Sequence, residues 1–327
     1  MLFPSFKSTI YFRKETNFDT NDFMCNLQPM QPTVLLIVNP YSGKKNGGKQ
    51  STYISRQLET KGFRSEIFLS ESTAALQLFV QHTNMNSFHT IGIVGGDGTM
   101  HEFLNAVFRI TDHLTTPVAL FPCGTGNAFN FDIGCSSVDE TIRCILNNKI
   151  SAIDVAEVKY AEQTLWSFNI IGCGMVADIN AMAERMRWLG SSRYTIASLI
   201  QLLRNRTVQA EIITEETTIT GHISFVLACN TRYTGKGMMM APLAQLHDGK
   251  FDVLVVKASS RLTLLKLFPK IFKGRHMGSD ILHYIQSSTL SVKCFDSTEM
   301  TNIDGEMKGQ APFSFRVHKN KVRVYTN

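Results

Sequence analysis

The chain has no apolar run approaching the roughly 20 residues that a membrane-spanning helix requires. Its opening segment, Met1 to Met30, lacks the charged n-region and continuous apolar h-region of a secretion signal and mixes aromatic, charged and polar residues without periodicity. No two of the seven cysteines form a C-x-x-C pair, and the nine histidines make no ligand-spaced cluster with them. These absences speak against a helical membrane span, a disulfide-stapled secreted domain and structural zinc, and point to a reduced, intracellular setting. What the composition supplies is core and positive charge. Of 327 residues 43% are hydrophobic, enough for two domains of ordinary size, and 33 Lys and Arg against 27 Asp and Glu give a formal charge of +6. A basic balance of that size suits anionic membranes, nucleotides or nucleic acid and does not choose between them.

The chain is organised around Thr90 to Phe108, TIGIVGGDGTMHEFLNAVF. A short β-branched run reads as a buried strand, Gly95, Gly96 and Gly98 let a ligand lie against the backbone, and Phe103, Leu104, Val107 and Phe108 fall at helical spacing. Strand, glycine loop and helix aim free N–H groups at whatever occupies the loop, and phosphate is the usual occupant. Thr99 and Glu102 also fit a capping box, which needs no ligand. Asp97 is discordant: an acid among phosphate-cradling glycines repels phosphate unless it binds a metal or takes a proton from an attacking hydroxyl.

From Pro32 the pattern is regular. Val34–Val38 reads as a strand, Thr52–Leu58 as a helix, Glu66–Leu69 as a strand, Ala74–Gln81 as a helix, and Pro117–Phe121 as a strand ending in a second glycine turn, Gly124, Thr125 and Gly126. Two glycine turns after strands of one alternating β-α series belong at the carboxyl edge of a parallel sheet, where open α/β sheets bind ligands. Gly43–Gln50, GKKNGGKQ, comes within one residue of the Walker A pattern. Gln50 stands where the Mg²⁺-holding hydroxyl belongs, so Asn39, Ser42 and Gly43 read instead as a looser nucleotide loop. Between Asn147 and Ser151 the alternation gives way to strand-like runs: Ala152–Lys159, Leu165–Ile171, Val208–Ile213, Thr217–Cys229, Phe251–Val256, Leu290–Phe295 and Phe313–His318. Helical inserts are expected over Asp178–Leu189, Tyr194–Asn205 and Arg261–Lys273. The expected fold is therefore α/β with two domains: an irregular arm over residues 1–30, an α/β parallel-sheet nucleotide domain over 31–149, and a β-sandwich with helical inserts over 150–327.

Taken together, NPYSG, GGDGTMHEFLNAV, PCGTGNAF, GCGMVADIN…RMRWLGSSRYT and IDGE resemble, in order and spacing, the diacylglycerol kinase catalytic-domain family of lipid kinases, and most of all its sphingosine and ceramide kinase branch. The likeness runs from Val34 to Phe315. A lone GGDG is also similar to the NAD kinases, but Trp188 and Gly190 between Arg187 and Arg193 follow the lipid kinase form. The resemblance implies a cytoplasmic enzyme in peripheral contact with a membrane, using ATP and Mg²⁺ to phosphorylate a primary hydroxyl of a lipid, with ATP in the cleft between nucleotide and lipid domains. Nucleic acid is not an implied partner, and the oligomeric state is left open.

Position by position, the resemblance implies that Asn39, Pro40, Ser42, Gly43, Ser70 and Glu71 line the nucleotide. Gly95, Gly96, Gly98 and Thr99 would cradle the phosphates, Glu102, Gly124, Thr125 and Gly126 would complete that wall, and Arg187 and Arg193 would neutralise the phosphates from the second domain. Asp97 matches the base for the substrate hydroxyl. Asp304 and Glu306 match an acidic pair, Asp304 beside the metal and nucleotide, Glu306 as the alternative base. Asp178 and Asn180 fall at the lipid head group. Sphingosine kinases read A-D-x-D there, whereas this chain reads Ala177-Asp178-Ile179-Asn180, which weakens the case for a cationic head. A sphingoid base is the first expectation, ceramide and diacylglycerol the alternatives, and an NAD kinase or a decayed lipid-binding module the other classes. Read without the resemblance, Asp304-Gly305 is a hairpin turn, Asp178 a helix cap and Arg187 a solvated helix residue. Ile196, Leu199, Ile200 and Leu203, followed by Arg204 and Arg206, fit either a core-facing helix or a gate touching the bilayer.

Overall fold

The computed structural model describes residues 31–45, 47–124, 126–235, 237–295 and 299–327. In the first half, β1 (Thr33–Val38), β2 (Arg64–Leu69), β3 (Thr90–Gly95) and β4 (Val118–Pro122) run parallel in the order β2-β1-β3-β4. β1 and β3 are covered on both faces, so they read as continuous apolar runs; β2 lies at the sheet edge and carries Arg64, Ser65 and Glu66. Helices α1 (Ser42–Lys45), α2 (Gly47–Glu59), α3 (Thr73–His82), α4 (Asp97–Phe108), α5 (Ala128–Asp132) and α6 (Val138–Leu146) supply the connections. Every loop that follows a strand therefore leaves the sheet at the same carboxyl edge.

The second half is antiparallel. Its strands are β5 (Ile150–Tyr160), β6 (Gln163–Ser167), β7 (Ile170–Gly174), β8 (Val208–Thr214), β9 (Thr218–Cys229), β10 (Phe251–Lys257), β11 (Leu282–Ser287), β12 (Thr289–Cys294), β13 (Met300–Ile303), β14 (Glu306–Gln310) and β15 (Phe313–Tyr325). Helices α7 (Met175–Arg185), α8 (Arg193–Arg204) and α9 (Arg261–Ile271) are inserted between them, with a 3₁₀ turn over Arg187–Ser192 linking the first two. β15 joins the halves. It pairs with β5 along its length and with β12 over Phe313–Arg316, and its Val324 meets Val118 of β4 in parallel register. Three cores result. One lies around the parallel sheet and takes in Ile153, Trp166, Phe168 and Val324 from the second half; one fills the inner faces of the sandwich; the third lies between β9, β10 and the three inserted helices.

Several expected elements are placed differently. The capping box at Thr99 and Glu102 does not form, because α4 starts three residues earlier, with Gly96 as N-cap and no side-chain cap bond. Thr99 Oγ1 instead accepts from Asn39 Nδ2 at 3.3 Å, and Glu102 Oε1 from the Thr73 hydroxyl at 2.7 Å. The run Leu165–Ile171 is broken into β6 and β7, since the N–H groups of Phe168, Asn169 and Ile170 turn away from any ladder to the carboxylate of Asp304. The helix expected to reach Leu189 stops at Arg185, and Gly190 at φ 60 breaks the turn that follows. β15 extends past His318 because Asn320, at φ 54, absorbs a bulge and donates its N–H to Asp154 at 2.7 Å. The arm over residues 1–30 lies outside the described residues.

Candidate active site

Three loops at the carboxyl edge, after β1, β3 and β4, close on one another backbone to backbone. A Cβ on Gly124 would stand 2.6 Å from the Cα of Gly96, and one on Gly43, at φ +51, would overlap the Cys123 carbonyl. Only glycine permits this approach. Asn127, in the left-handed region at φ 50, fixes the third loop by accepting from Gly124 N at 3.0 Å and donating to Gly124 O at 2.9 Å. The result is a concave wall of Asn39, Ser42, Gly43, Gly96, Gly98, Thr99, Glu102, Gly124 and Gly126. Of the other residues expected on it, Gly95 is buried in β3, and Pro40, Ser70 and Glu71 do not reach the cleft. Ser70 and Glu71 follow β2, which lies beyond β1 from β3, so their loop sits at the far edge. Thr125 lies outside the described residues.

Asp97 occupies the first turn of α4, and its carboxylate reaches across to α5, accepting from Ala128 N at 2.8 Å and Phe129 N at 3.4 Å. The acid among the glycines thus binds the free N–H groups of the next helix. Burial pushes its carboxyl up to about 6, against the pull of those two donors, and the nearby Asp304 adds to the rise. Asp304 itself is buried and saturated. Its oxygens take Ser167 Oγ at 2.7 Å, the N–H groups of Phe168, Asn169 and Ile170 at 3.3, 3.0 and 3.0 Å, and His101 Nδ1 at 2.9 Å. A carboxylate held by five protein donors has no lone pair directed at a cation, so the metal and nucleotide contacts expected of Asp304 are not the ones it makes. It also forms the expected turn: Asp304 at φ 53 and Gly305 at φ 91 are the two central residues of a tight hairpin between β13 and β14.

That hairpin sets Glu306 over the glycine loop. Its Oε1 would lie 2.9 Å from a Cβ on Gly98, and among the described residues no donor is bonded to its carboxylate. No cluster of three or more metal-ligating side chains exists among the described residues. Mg²⁺ bound with substrate phosphates needs only one or two carboxylates, and Asp97 and Glu306, both lining the cleft, fit that donor set.

The opposite wall belongs to the second half. Arg193, buried at the start of α8, places Nη2 3.1 Å from Glu184 Oε1 and from the Tyr194 hydroxyl, while its Nε–H has no partner among the described residues. A guanidinium lining the cleft and only partly satisfied by its described neighbours suits an anion. Of Arg187 only the backbone is described, in the 3₁₀ turn. Asn180 lines the cleft but donates Nδ2 to the carbonyl of Gly305, at 2.6 Å, so it supports the hairpin. Asp178 faces away and pairs with Arg206 at 3.2 Å, because two residues along a helix turn a side chain about 200°. Past these groups the cavity, about 560 Å³ in all, becomes apolar between α7, α8, β9 and α9, lined by Met175, Leu202, Phe225, Met238 and Phe268.

Glu184, Tyr194, His101 and the apolar lining were not singled out from the sequence. Glu184 and Arg193 are separated by the 3₁₀ turn, which hides a pairing that helix spacing would reveal. Phe225, Met238 and Phe268 come from separate elements, and each alone reads as core.

Comparison with known proteins accords with this architecture. Residues 33–158 match the model of the diacylglycerol kinase catalytic domain, and residues 169–326 that of the YegS C-terminal NAD kinase beta sandwich-like domain. A diacylglycerol kinase of Mycobacterium tuberculosis is 30% identical over 207 residues, covering 62% of this chain and 66% of that protein, just under two thirds of its length. Sphingosine kinase 1 of Arabidopsis thaliana is 23% identical over 353 residues, covering 89% of this chain and 72% of the relative. A crystal structure of a diacylglycerol kinase from Bacillus anthracis superposes with a TM-score of 0.67 at 17% identity, covering 91% of this chain and 97% of that one, a likeness of fold. With its two matched domains in order and the glycine loops facing an apolar cavity, the chain belongs to the diacylglycerol kinase catalytic-domain family of lipid kinases.

Proposed function

We propose that the protein transfers the γ-phosphate of Mg·ATP to a primary hydroxyl of a membrane lipid. The observation that carries this reading is the single continuous cavity, polar at the glycine loops and apolar between α7, α8, β9 and α9. A nucleotide at one end and a lipid tail at the other bring phosphate and hydroxyl together beside Gly98 and Glu306. Glu306 is the better candidate for the base, since its carboxylate has no hydrogen-bond donor among the described residues and Asp97 is committed to α5. Asp97, which lines the cleft, would hold Mg²⁺, which screens phosphate charge when bound, and Glu306 would stay free as the base. Arg193 would exchange Glu184 for a phosphate oxygen, adding a charge-assisted bond at the γ-phosphate end.

Within the lipid class, a sphingoid base is the first substrate to test. Among the described residues the cavity lining carries Asp97, Glu102, Glu184, Asp304 and Glu306 and, of basic side chains, Arg193, a balance that suits an ammonium beside the reacting hydroxyl. The lipid would arrive from a leaflet at the α8–α9 rim. Leu203 near the end of α8 and Leu262 in the first turn of α9 are 55% and 70% exposed, α9 carries Arg261, Lys266 and Lys270, and Trp188 in the 3₁₀ turn before α8 is 81% exposed. No helix among the described residues is long and apolar enough to cross a membrane.

The test is phosphate transfer from labelled ATP to a sphingoid base, ceramide and diacylglycerol, with wild-type protein and Glu306→Gln. Transfer to a lipid that falls ~10²- to 10⁴-fold in the variant supports the reading with Glu306 as base. Transfer to nucleotide alone, or a Glu306→Gln variant at wild-type kcat, refutes the respective part.

A further inference from the structure

The bond between His101 and Asp304 crosses from the nucleotide half to the hairpin that presents Glu306. We infer that His101 is a positioning residue: it fixes the height of Glu306 above the glycine loop. This rests on the phosphotransfer reading for its kinetic consequence and stands on geometry otherwise.

His101 lies on α4, one turn after Asp97, and is fully buried. It does not line the cleft, so it is not a catalytic residue. Its Nδ1 lies 2.9 Å from Asp304 Oδ2. The acceptor is a carboxylate already receiving the Ser167 hydroxyl and three backbone N–H groups, so Nδ1 carries the proton and donates. Four residues further along the same helix, Asn105 makes a two-way pair with the backbone of Trp166: Nδ2 donates to its carbonyl and Oδ1 accepts its N–H, both at 2.9 Å. The inner face of α4 is thereby docked on the segment from Trp166 to Ile170.

The hairpin is fixed from its other side by Asn302, which accepts Gly305 N–H at 2.9 Å, and by Asn180, which donates to the Gly305 carbonyl. These bonds hold the turn within its own half. The bond from His101 relates the turn to α4, whose first turn carries Asp97 and Gly98. A carboxylate that must meet a proton at hydrogen-bond distance tolerates little drift, and a displacement of ~1 Å costs on the order of 10²-fold in rate.

The test compares His101→Asn with His101→Gln. The Asn amide nitrogen superposes on Nδ1 and keeps the donor to Asp304; the Gln nitrogen superposes on Nε2 and does not, at nearly the same composition. His101→Gln is expected to lose ~10- to 100-fold in kcat with KM for ATP little changed, and His101→Asn to recover most of it. In a Glu306→Gln background, His101→Gln should add no further loss, because the group it positions is gone. Equal loss in the Asn and Gln variants, or a Gln penalty that multiplies with Glu306→Gln, overturns the assignment in favour of a general folding role. Amide exchange of the Gly305–Glu306 segment in the nucleotide-free chain supplies a readout independent of turnover, and it also serves if a variant melts early. It should quicken in His101→Gln and not in His101→Asn, with α9 unchanged as internal control. If wild-type protein phosphorylates no lipid while the exchange responds as stated, the functional reading fails and the positioning role stands; if exchange is the same in wild type and His101→Gln, the positioning role fails.

Discussion

Asp97→Asn is expected to stabilise the protein at neutral pH while impairing it as a kinase. The Asp97 carboxyl sits at about 6, raised first of all by burial, from an ordinary value of about 3.9. Ionising it in the folded state is therefore harder than in the unfolded chain by about 2 pH units, or ~3 kcal/mol at ~1.4 kcal/mol per unit. The sign follows from the protons bound. Between the two values the folded chain holds a proton that the unfolded chain has released, so this contribution is fully present below about pH 4 and lost as pH rises through about 6. An asparagine carries no charge at any of these values and can still accept the 2.8 Å bond from Ala128 N–H; only the 3.4 Å contact with Phe129 N–H is exchanged for an amide face. The melting-temperature difference, variant minus wild type, should be near zero at pH 4, rise between pH 4 and 6, and level off above pH 7 at a few degrees or more. Phosphotransfer should move the other way, with more Mg²⁺ needed for half-maximal rate, because a carboxylate facing the cleft is lost. A difference in melting temperature that is flat with pH, or that falls as pH rises, refutes the assignment of a costly buried charge at Asp97.

Other consequences are as direct. Asn180→Asp places a carboxylate against the Gly305 carbonyl in place of the amide N–H, so kcat should fall for a sphingoid base and for a neutral lipid alike; a selective gain for the amine lipid would restore Asn180 as a head-group reader. Gly43→Ala forces a Cβ into the Cys123 carbonyl at a positive φ, and should weaken ATP binding, measured by titration with a fluorescent nucleotide, more than it lowers the melting temperature. Charging Leu199 and Leu203, which are exposed on α8, should reduce activity on anionic vesicles far more than on detergent-dispersed lipid, whereas equal loss in both would mark a folding defect. Trp188, in the 3₁₀ turn before α8, supplies a built-in reporter of membrane contact, since Trp166 is buried: its emission should shift to the blue with phosphatidylserine vesicles, and an unshifted spectrum would remove that turn from the membrane surface.

The parallel sheet was legible because its signals are local. β1 and β3 are apolar runs covered on both faces, and a strand ending in GGDG or PCGTG announces its loop. The long sandwich strands showed for the same reason. β11, β13 and β14 did not: MTNI and EMKGQ are short and polar, and they are strands because β7 and the Asp304-Gly305 turn pair them. From sequence the last strand ends at His318, since HKNK looks like a loop until Asp154, from the strand beside it, accepts the N–H of Asn320. The motifs located the wall of the cleft, and the structure brings Asn39, Ser42, Gly43, Gly96, Gly98, Thr99, Glu102, Gly124 and Gly126 together on it. The apolar half was illegible, because a cavity lining and a core lining have the same composition.

Roles among the acids were the least legible part, and the reason is physical. A carboxylate is defined by the donors that converge on it, and in this chain those donors come from far along the sequence. Asp97 takes its two from α5, and Asp304 takes four from the segment Ser167 to Ile170 and one from α4. Both acids thus couple separate segments, and each supplies negative charge where free N–H groups would otherwise be orphaned. Glu306 differs in one respect: the hairpin that Asp304 anchors carries it two residues past the anchor, to the mouth of the cleft, where no donor among the described residues meets it. The same IDGE motif therefore contains one acid engaged by the fold and one that the proposed function would use, and the spacing of two residues along a tight turn is what separates them. On the proposed function, a substrate hydroxyl entering beside Gly98 would meet an acceptor that no donor among the described residues engages, held in place by a neighbour that takes five.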